Sequence, residues 1–218
     1  MAIAINEELA EEIGWHIGDG SMNYYGHQGQ RGFYQLRGHI EDDREHYLTR
    51  IKPIFERVYG VKINLRDMPS TRVFGFQIWR NSIIQFKQTL GLPLGKKYEL
   101  EIPKEFCNDP ILLKACIRGL FDTDGCLYLL KKNNKLYPII QITTISKKLG
   151  EQLHYQLREL EFRATIHSQL YNQDYNRQRV YIVVIRGVEM LHKFFSEIQP
   201  KNQKHINKYY RFLASAKT

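Results

Sequence analysis

The chain has 218 residues, with 32 lysines and arginines against 23 aspartates and glutamates, a formal charge of +9 with histidine neutral. That excess points to a polyanionic partner, and to nucleic acid before an anionic membrane, because the charge is spread over the chain rather than gathered on one basic amphipathic helix. No apolar run would span a bilayer, Met1–Glu8 lacks the pattern of a secretory signal, and three cysteines without CxxC spacing (Cys107, Cys116, Cys126) argue against a zinc finger or a disulfide framework.

From Asn6 to Gly18, Leu9, Ile13, Trp15 and Ile17 recur at helical spacing, with Glu7, Glu8, Glu11 and Glu12 near the N-terminal end and Gly20 placed as a stop. Residues 21–40 read as two strands around a turn marked by Gly26, Gly29 and Gly32. Asp42-Asp43 is positioned to cap a helix running to Gly60, with a kink near Pro53. Strands follow at Val61–Arg66 and Arg72–Trp79, then a helix from Ser82 to Leu90. Residues 91–109 carry two prolines and two glycines, are followed by Pro110, and read as a linker. The order then begins again. A helix is predicted from Ile111 to Thr123, strands at Cys126–Leu130 and Leu136–Thr144, and a helix from Ser146 to Leu160. Strands at Arg163–Leu170 and Arg179–Ile185 precede helices at Val188–Ile198 and Asn202–Ala216. Each half reads αββαββα, with one extra helix closing the second. The expected organisation is an α+β fold duplicated about a pseudo-twofold axis: residues 1–90, a linker over 91–109, and residues 110–218.

The duplication is visible in the residues. Glu12-Ile13-Gly14-Trp15-His16-Ile17-Gly18-Asp19-Gly20 returns as Ile117-Arg118-Gly119-Leu120-Phe121-Asp122-Thr123-Asp124-Gly125. Gly14 and Gly18 share one helical face, as do Gly119 and Thr123, so two helix backbones can approach closely. Packed together, the two helices would bring Asp19 and Asp124 side by side at their negative ends, where like charges repel. Divalent cations resolve that conflict. Hard oxygen ligands at an open site suit Mg²⁺, with the helix-end carbonyls of Gly18 and Thr123 as further ligands. Asp122 is matched by Ile17 in the first copy, so it reads as a capping or hydrogen-bonding group.

The two stretches resemble the LAGLIDADG motifs of homing endonucleases in their single-chain, two-motif form. Gly119–Gly125 is a close match; Gly14–Gly20 departs where Ile17 replaces the usual acid, while the eighth position is acidic in both. The resemblance implies two packed central motif helices between saddle-shaped antiparallel sheets. It also implies hydrolysis of both strands of a long double-stranded DNA site across its minor groove, leaving 3′ overhangs. Mg²⁺ is the expected cofactor, Mn²⁺ a substitute, and Ca²⁺ an ion that binds without supporting cleavage. A polar strand residue orienting water in each half falls on His39 and Thr144, which an alignment of Ile40–Leu48 with Ile145–Leu153 pairs. A lysine near the scissile phosphate falls on Lys96 or Lys97 and on Lys201 or Lys204; Lys97 and Lys204 are the choices.

A β-ribbon fits the major groove with alternate side chains reaching base edges. Candidate DNA contacts are Tyr25, Gln28, Gln30, Arg31, Gln35, Arg37, Arg66, Arg72, Gln77 and Arg80 in the first half. The second half offers Lys131, Lys132, Lys135, Tyr137, Gln141, Gln169, Arg177 and Arg179. The rival expectation is a binder without cleavage, including an RNA-splicing maturase with intron RNA as partner. The chain neither begins with Cys or Ser nor ends in His-Asn, which disfavours an intein and favours a free-standing intron-encoded protein. A monomer in an intracellular setting, cytoplasmic or organellar, completes the expectation.

Overall fold

Two helices in contact along their length form the centre of the computed structural model, which describes residues 3–132, 135–173 and 176–215. The first, α1 (Glu7–Gly18), starts at Asn6, whose side chain accepts from the Leu9 amide at 2.9 Å. Asp109 caps the second such helix in the same way, accepting from Ile111 at 2.8 Å, with Pro110 at its first position, where no amide donor is needed.

After α1 the chain forms β1 (Gly20–Tyr25), a 3₁₀ turn at His27–Gly29 and β2 (Arg31–His39). A helical stretch follows as α2 (Arg44–His46), a π turn over Tyr47–Ile51 and α3 (Lys52–Tyr59). The expected proline kink takes the form of that π turn: Pro53 lies in the first turn of α3, where its missing amide does no harm. Next come β3 (Arg66–Met68), β4 (Val73–Trp79) and α4 (Asn81–Thr89). The strand expected at Val61–Arg66 begins only at its last residue, because Glu56 takes the Ile63 amide at 2.9 Å and leaves the preceding segment outside the sheet.

The stretch expected to be a bare linker contains α5 (Lys104–Cys107) and buries Leu92, Leu100, Ile102 and Phe106 in the common core. It is fixed by Gln152, which accepts from the Ile102 amide at 2.7 Å and donates to its carbonyl at 3.0 Å. Then α6 (Pro110–Asp124), β5 (Gly125–Lys132), β6 (Lys135–Thr144), α7 (Lys147–Glu159), β7 (Ala164–Gln173), β8 (Asn176–Arg186), α8 (Val188–Glu197) and α9 (Gln203–Ser215) complete the chain.

Both sheets are antiparallel and share one topology, β1-β2-β4-β3 and β5-β6-β8-β7. One core joins the halves: Leu9, Ile13, Tyr34, Phe55 and Phe76 from the first, Ile117, Phe121, Leu153 and Phe194 from the second. Each sheet turns one face to that core and leaves the other open. Among the described residues no helix is long and apolar enough to cross a membrane.

Candidate active site

Small residues set how closely the central helices meet. A β-carbon on Gly14 would lie 2.2 Å from the Cys116 carbonyl oxygen, and one on Gly119 would lie 2.1 Å from that of Glu11. At the C-terminal ends, a β-carbon on Gly18 would lie 2.1 Å from Thr123 Oγ1 and 3.4 Å from the Asp124 carboxyl carbon. Asp19 follows directly, so the two acids end adjoining helices. Gly20, expected as a stop, and Gly125 lie just past the ends of the two helices. They open β1 and β5, and glycine is required because a side chain would strike the turn behind it, His16 in one case and Phe121 in the other.

Burial, with the carboxylates of Asp124 and Asp43 nearby, pushes Asp19 up to about 7 against the pull of Lys204 and Lys97. Asp124 is also raised by its burial, opposed by the same two lysines. Two desolvated acids this close resist joint ionisation. The lysines meet the helix ends directly. Lys97 Nζ donates to the carbonyls of His16 and Ile17, both at 2.9 Å, and to that of Gly18. Lys204 Nζ donates to Asp43 Oδ1 at 2.8 Å and to the Thr123 carbonyl at 3.3 Å. The carbonyls of Gly18 and Thr123, expected as further metal ligands, each accept from an ammonium, drawn there by the negative end of its helix. Burial lowers Lys97 to about 8, against the pull of Asp124 and Asp19. The alternative lysines point elsewhere, Lys96 over the Tyr98 ring at 5.6 Å and Lys201 toward Gln199 at 3.4 Å.

A cleft of about 480 Å³ opens beside these groups, lined by Asp19, Arg37, His39, Asp43, Arg72 and Lys204 among others. His39 stands at its edge, its Nδ1 accepting from the Asp42 amide at 3.3 Å. Thr144 does not occupy the corresponding place. Gly20 pairs with Leu36 and Gly125 with Ile142, so Thr144 corresponds to Gly38 and His39 corresponds to Ile145. One residue of register reverses the face. Thr144 therefore points to the helix side, against Gly150, and its hydroxyl accepts from the Ser146 amide at 3.1 Å.

Sequence reading missed Asp43. Taken as a helix cap, it makes no capping bond and instead accepts from the His39 amide at 2.7 Å, Asn202 Nδ2 at 2.7 Å and Lys204. Burial opposes its charge, but Lys204, Asn202 and the His39 amide hold its carboxyl below the usual value. Tyr47 lies nearby in the π turn; its buried hydroxyl has no hydrogen-bond partner among the described residues, and Asp19 and Asp43 help to raise its pKa after burial. Asp122 takes the bonding role expected of it, accepting from the amides of Lys201 and Asn202 just before α9.

A family model described as a LAGLIDADG-like domain matches residues 112–199. The chain is 27% identical over 205 residues to the Replication factor C small subunit of Methanocaldococcus jannaschii. It is 30% identical over 112 residues to the ATP-dependent DNA helicase Hel308 of the same organism. Those stretches cover 93% and 47% of this chain but only 10% and 9% of the two proteins, so the chain spans about a tenth of the curated relatives it matches. In three dimensions it is similar to I-DmoI in complex with DNA and Ca, with a TM-score of 0.63, 16% identity, and coverage of 93% of this chain and 97% of that one. For I-DmoI with DNA and Mn the score is 0.61 at 19% identity, covering 88% and 96%.

The chain has the LAGLIDADG homing endonuclease fold. In this fold the open sheet faces flank the acids, and strand alternation decides which candidates they carry. Sheet one presents Tyr25, Arg31, Gln35, Arg37, Arg66 and Gln77; Arg66 donates to Gln77, which donates to Gln35 at 3.3 Å. Trp79 and Phe33, not among the candidate DNA contacts, share that face, with the Arg31 guanidinium 4.9 Å from the Trp79 ring centre. Sheet two presents Lys132, Lys135, Tyr137, Gln141 and Gln169. Lys131 and Arg179 alternate to the opposite face, where Arg179 donates to Ser168 at 3.0 Å. Gln30 sits in the turn before β2, Arg72 in the turn before β4, and Arg80 precedes α4, so none of the three is on a strand face. The side chains of Gln28 and Arg177 lie outside the described residues.

Proposed function

We propose that this chain is a site-specific endonuclease that hydrolyses both strands of duplex DNA with a divalent metal. The observation that carries this reading is the meeting of Asp19 and Asp124 at the ends of two abutting helices, each end also bound by a lysine. A purely structural pair gains nothing from two desolvated carboxylates that resist joint ionisation. The donors suit a hard cation. Among the described residues no cluster of three or more His, Cys, Asp or Glu offers a full protein cage, so water and phosphate oxygens would complete the shell, the habit of Mg²⁺.

Asp19 and Asp124 would hold that ion, with Mn²⁺ substituting and Ca²⁺ binding without cleavage. When bound, such an ion stabilises charge at the phosphodiester and acidifies a water. Lys97 and Lys204 hold positive charge at the same helix ends and meet the approaching phosphates. His39 offers an imidazole at the cleft edge. The open sheet faces carry the arginines and glutamines that suit base edges, and the lysines that suit phosphate. Cleavage across the minor groove with 3′ overhangs, in the service of intron homing, belongs to the same reading. I-DmoI, similar in fold, is in complex with DNA, which supports a DNA partner for this chain.

The test is selection of cleaved duplexes from a random library with Mg²⁺, repeated with Ca²⁺. Defined double-strand cuts with Mg²⁺ and retained binding with Ca²⁺ are expected. Binding without cuts in either ion would leave a binder, such as an RNA-splicing maturase, as the better reading.

A further inference from the structure

Lys97 and Lys204 occupy matching places at the two helix ends, but they are held by different chemistry. Lys97 rests on three neutral carbonyl oxygens of α1. Lys204 has one carbonyl, that of Thr123, and one full anion, Asp43, at 2.8 Å. Asp43 comes from the other half of the chain. It is 4% exposed and is fixed on two further sides by the His39 amide and Asn202 Nδ2, both at 2.7 Å.

Gly38 makes the arrangement sterically feasible. A β-carbon there would lie 2.7 Å from Asp43 Oδ2 and 2.9 Å from its Cβ, so the bare glycine is the notch through which the carboxylate reaches across. In the second half the sheet register puts Thr144 at that place. Its side chain fills the notch, and its hydroxyl binds the Ser146 amide. At the helix start that Asp43 occupies, the second half has Ser146, a buried neutral hydroxyl that donates to the Leu100 carbonyl at 2.7 Å. The duplicated halves thus differ at one point beside the acids, and only one lysine is tied to a carboxylate.

Resting on the nuclease reading, we propose that Asp43 is a positioning residue that aims Lys204, so that the two DNA strands are cut by inequivalent centres. Among the described residues Asp43 bonds to Lys204 and to neither acid, so the lysine is the group it positions. Losing its charge leaves Lys204 with the Thr123 carbonyl alone, and a misplaced group of this kind costs about 100-fold in rate. The loss falls on one strand.

The experiment is strand-resolved cleavage of the selected duplex, each strand separately labelled, under single-turnover conditions. Asp43→Asn is expected to slow the strand that Lys204→Gln slows, by about 100-fold, with the DNA concentration at half-maximal rate unchanged. The other strand stays near its wild-type rate, so nicked duplex accumulates. Lys97→Gln should bias nicking toward the opposite strand. The double variant Asp43→Asn with Lys204→Gln should be no slower than Lys204→Gln alone, since both remove one function. Gly38→Ala, which crowds Asp43 without altering charge, should slow the same strand; melting and Ca²⁺-supported binding check that each variant is folded. Equal slowing of both strands, no slowing, or additive effects with Lys204→Gln overturns the proposal and leaves the nuclease reading standing. A wild-type chain that cuts neither strand overturns both.

Discussion

Gly14 and Gly119 touch through their backbones: the Cα of Gly119 lies 2.9 Å from where a β-carbon on Gly14 would stand, and the Cα of Gly14 lies 3.1 Å from that on Gly119. The obstructing atoms are main chain on both sides, so no rotamer change relieves an added methyl. Gly14→Ala and Gly119→Ala should each destabilise the protein by about 3 kcal/mol or more, the upper range for overpacking. Chemical denaturation midpoints check this. An alanine tolerated at either position would mean that the helices stand farther apart than described.

Asp19→Asn and Asp124→Asn should each abolish double-strand cleavage while keeping most DNA affinity, because affinity comes mainly from phosphate contacts. The free protein adds a second readout. Burial raises both acids and Asp124 adds to the rise of Asp19 to about 7; replacing one carboxylate removes a desolvated charge, so either variant should melt no lower than wild type without metal. Removing divalent ions with a chelator should stop cleavage by the wild type. A double asparagine variant that cuts normally would sink the assignment.

Much of the fold was legible because duplication and spacing are sequence properties. The Gly14, Gly18, Gly119 and Thr123 pattern gave the helix contact, and the contact put Asp19 beside Asp124. What stayed hidden depended on register and on meetings between distant segments. Aligning the helices after β2 and β6 paired His39 with Thr144, but the sheets are offset by one residue from that alignment, and one residue of strand register changes the face. The same alternation separates Lys132 from Lys131. Asp43 looked like a cap because acids before helices usually are caps. Its real partners, Asn202 and Lys204, lie at the other end of the chain, and the notch at Gly38 has no local signature. In residues 91–109 the prolines and glycines outweighed Leu92, Leu100, Ile102 and Phe106, which are core.

A pH effect on stability follows from His46. Its ring is 1% exposed, neither nitrogen has a hydrogen-bond partner among the described residues, and it meets the Trp15 ring edge-on at 6.0 Å. Burial lowers its pKa to about 4 despite Glu11 and Asp43 nearby. The folded value lies below the unfolded one of 6.5, so the stability this neutral ring contributes is present above about 6.5 and is lost as pH falls toward 4. The full loss is about 3 kcal/mol. Asp122, pushed up to about 7 by burial, works in the opposite direction, so the test compares slopes. His46→Gln should show a shallower fall in melting temperature between pH 7 and pH 5 than wild type. Parallel curves would remove the histidine from the account.

The open face of sheet one makes the last prediction. Arg37 lies on that face opposite Gly75, which has no side chain to obstruct it, and beside the linked Gln35, Gln77 and Arg66. An arginine so placed suits two-pronged hydrogen bonding to a guanine edge. Replacing it should cost about 1–3 kcal/mol on the preferred site and relax selectivity at one position. Lys132 stands near the end of its hairpin on the open face of sheet two, where a flexible ammonium suits phosphate. Its loss should weaken binding to all sequences alike and lower the slope of log affinity against log salt by about one. The wild type should itself show a steep salt dependence, as a basic surface crossing many phosphates requires. The measurement is binding to a panel of single-base variants at several salt concentrations, with Ca²⁺ in place of Mg²⁺. If Arg37 variants lose affinity uniformly and Lys132 variants change base preference, the division between reading and anchoring residues is reversed.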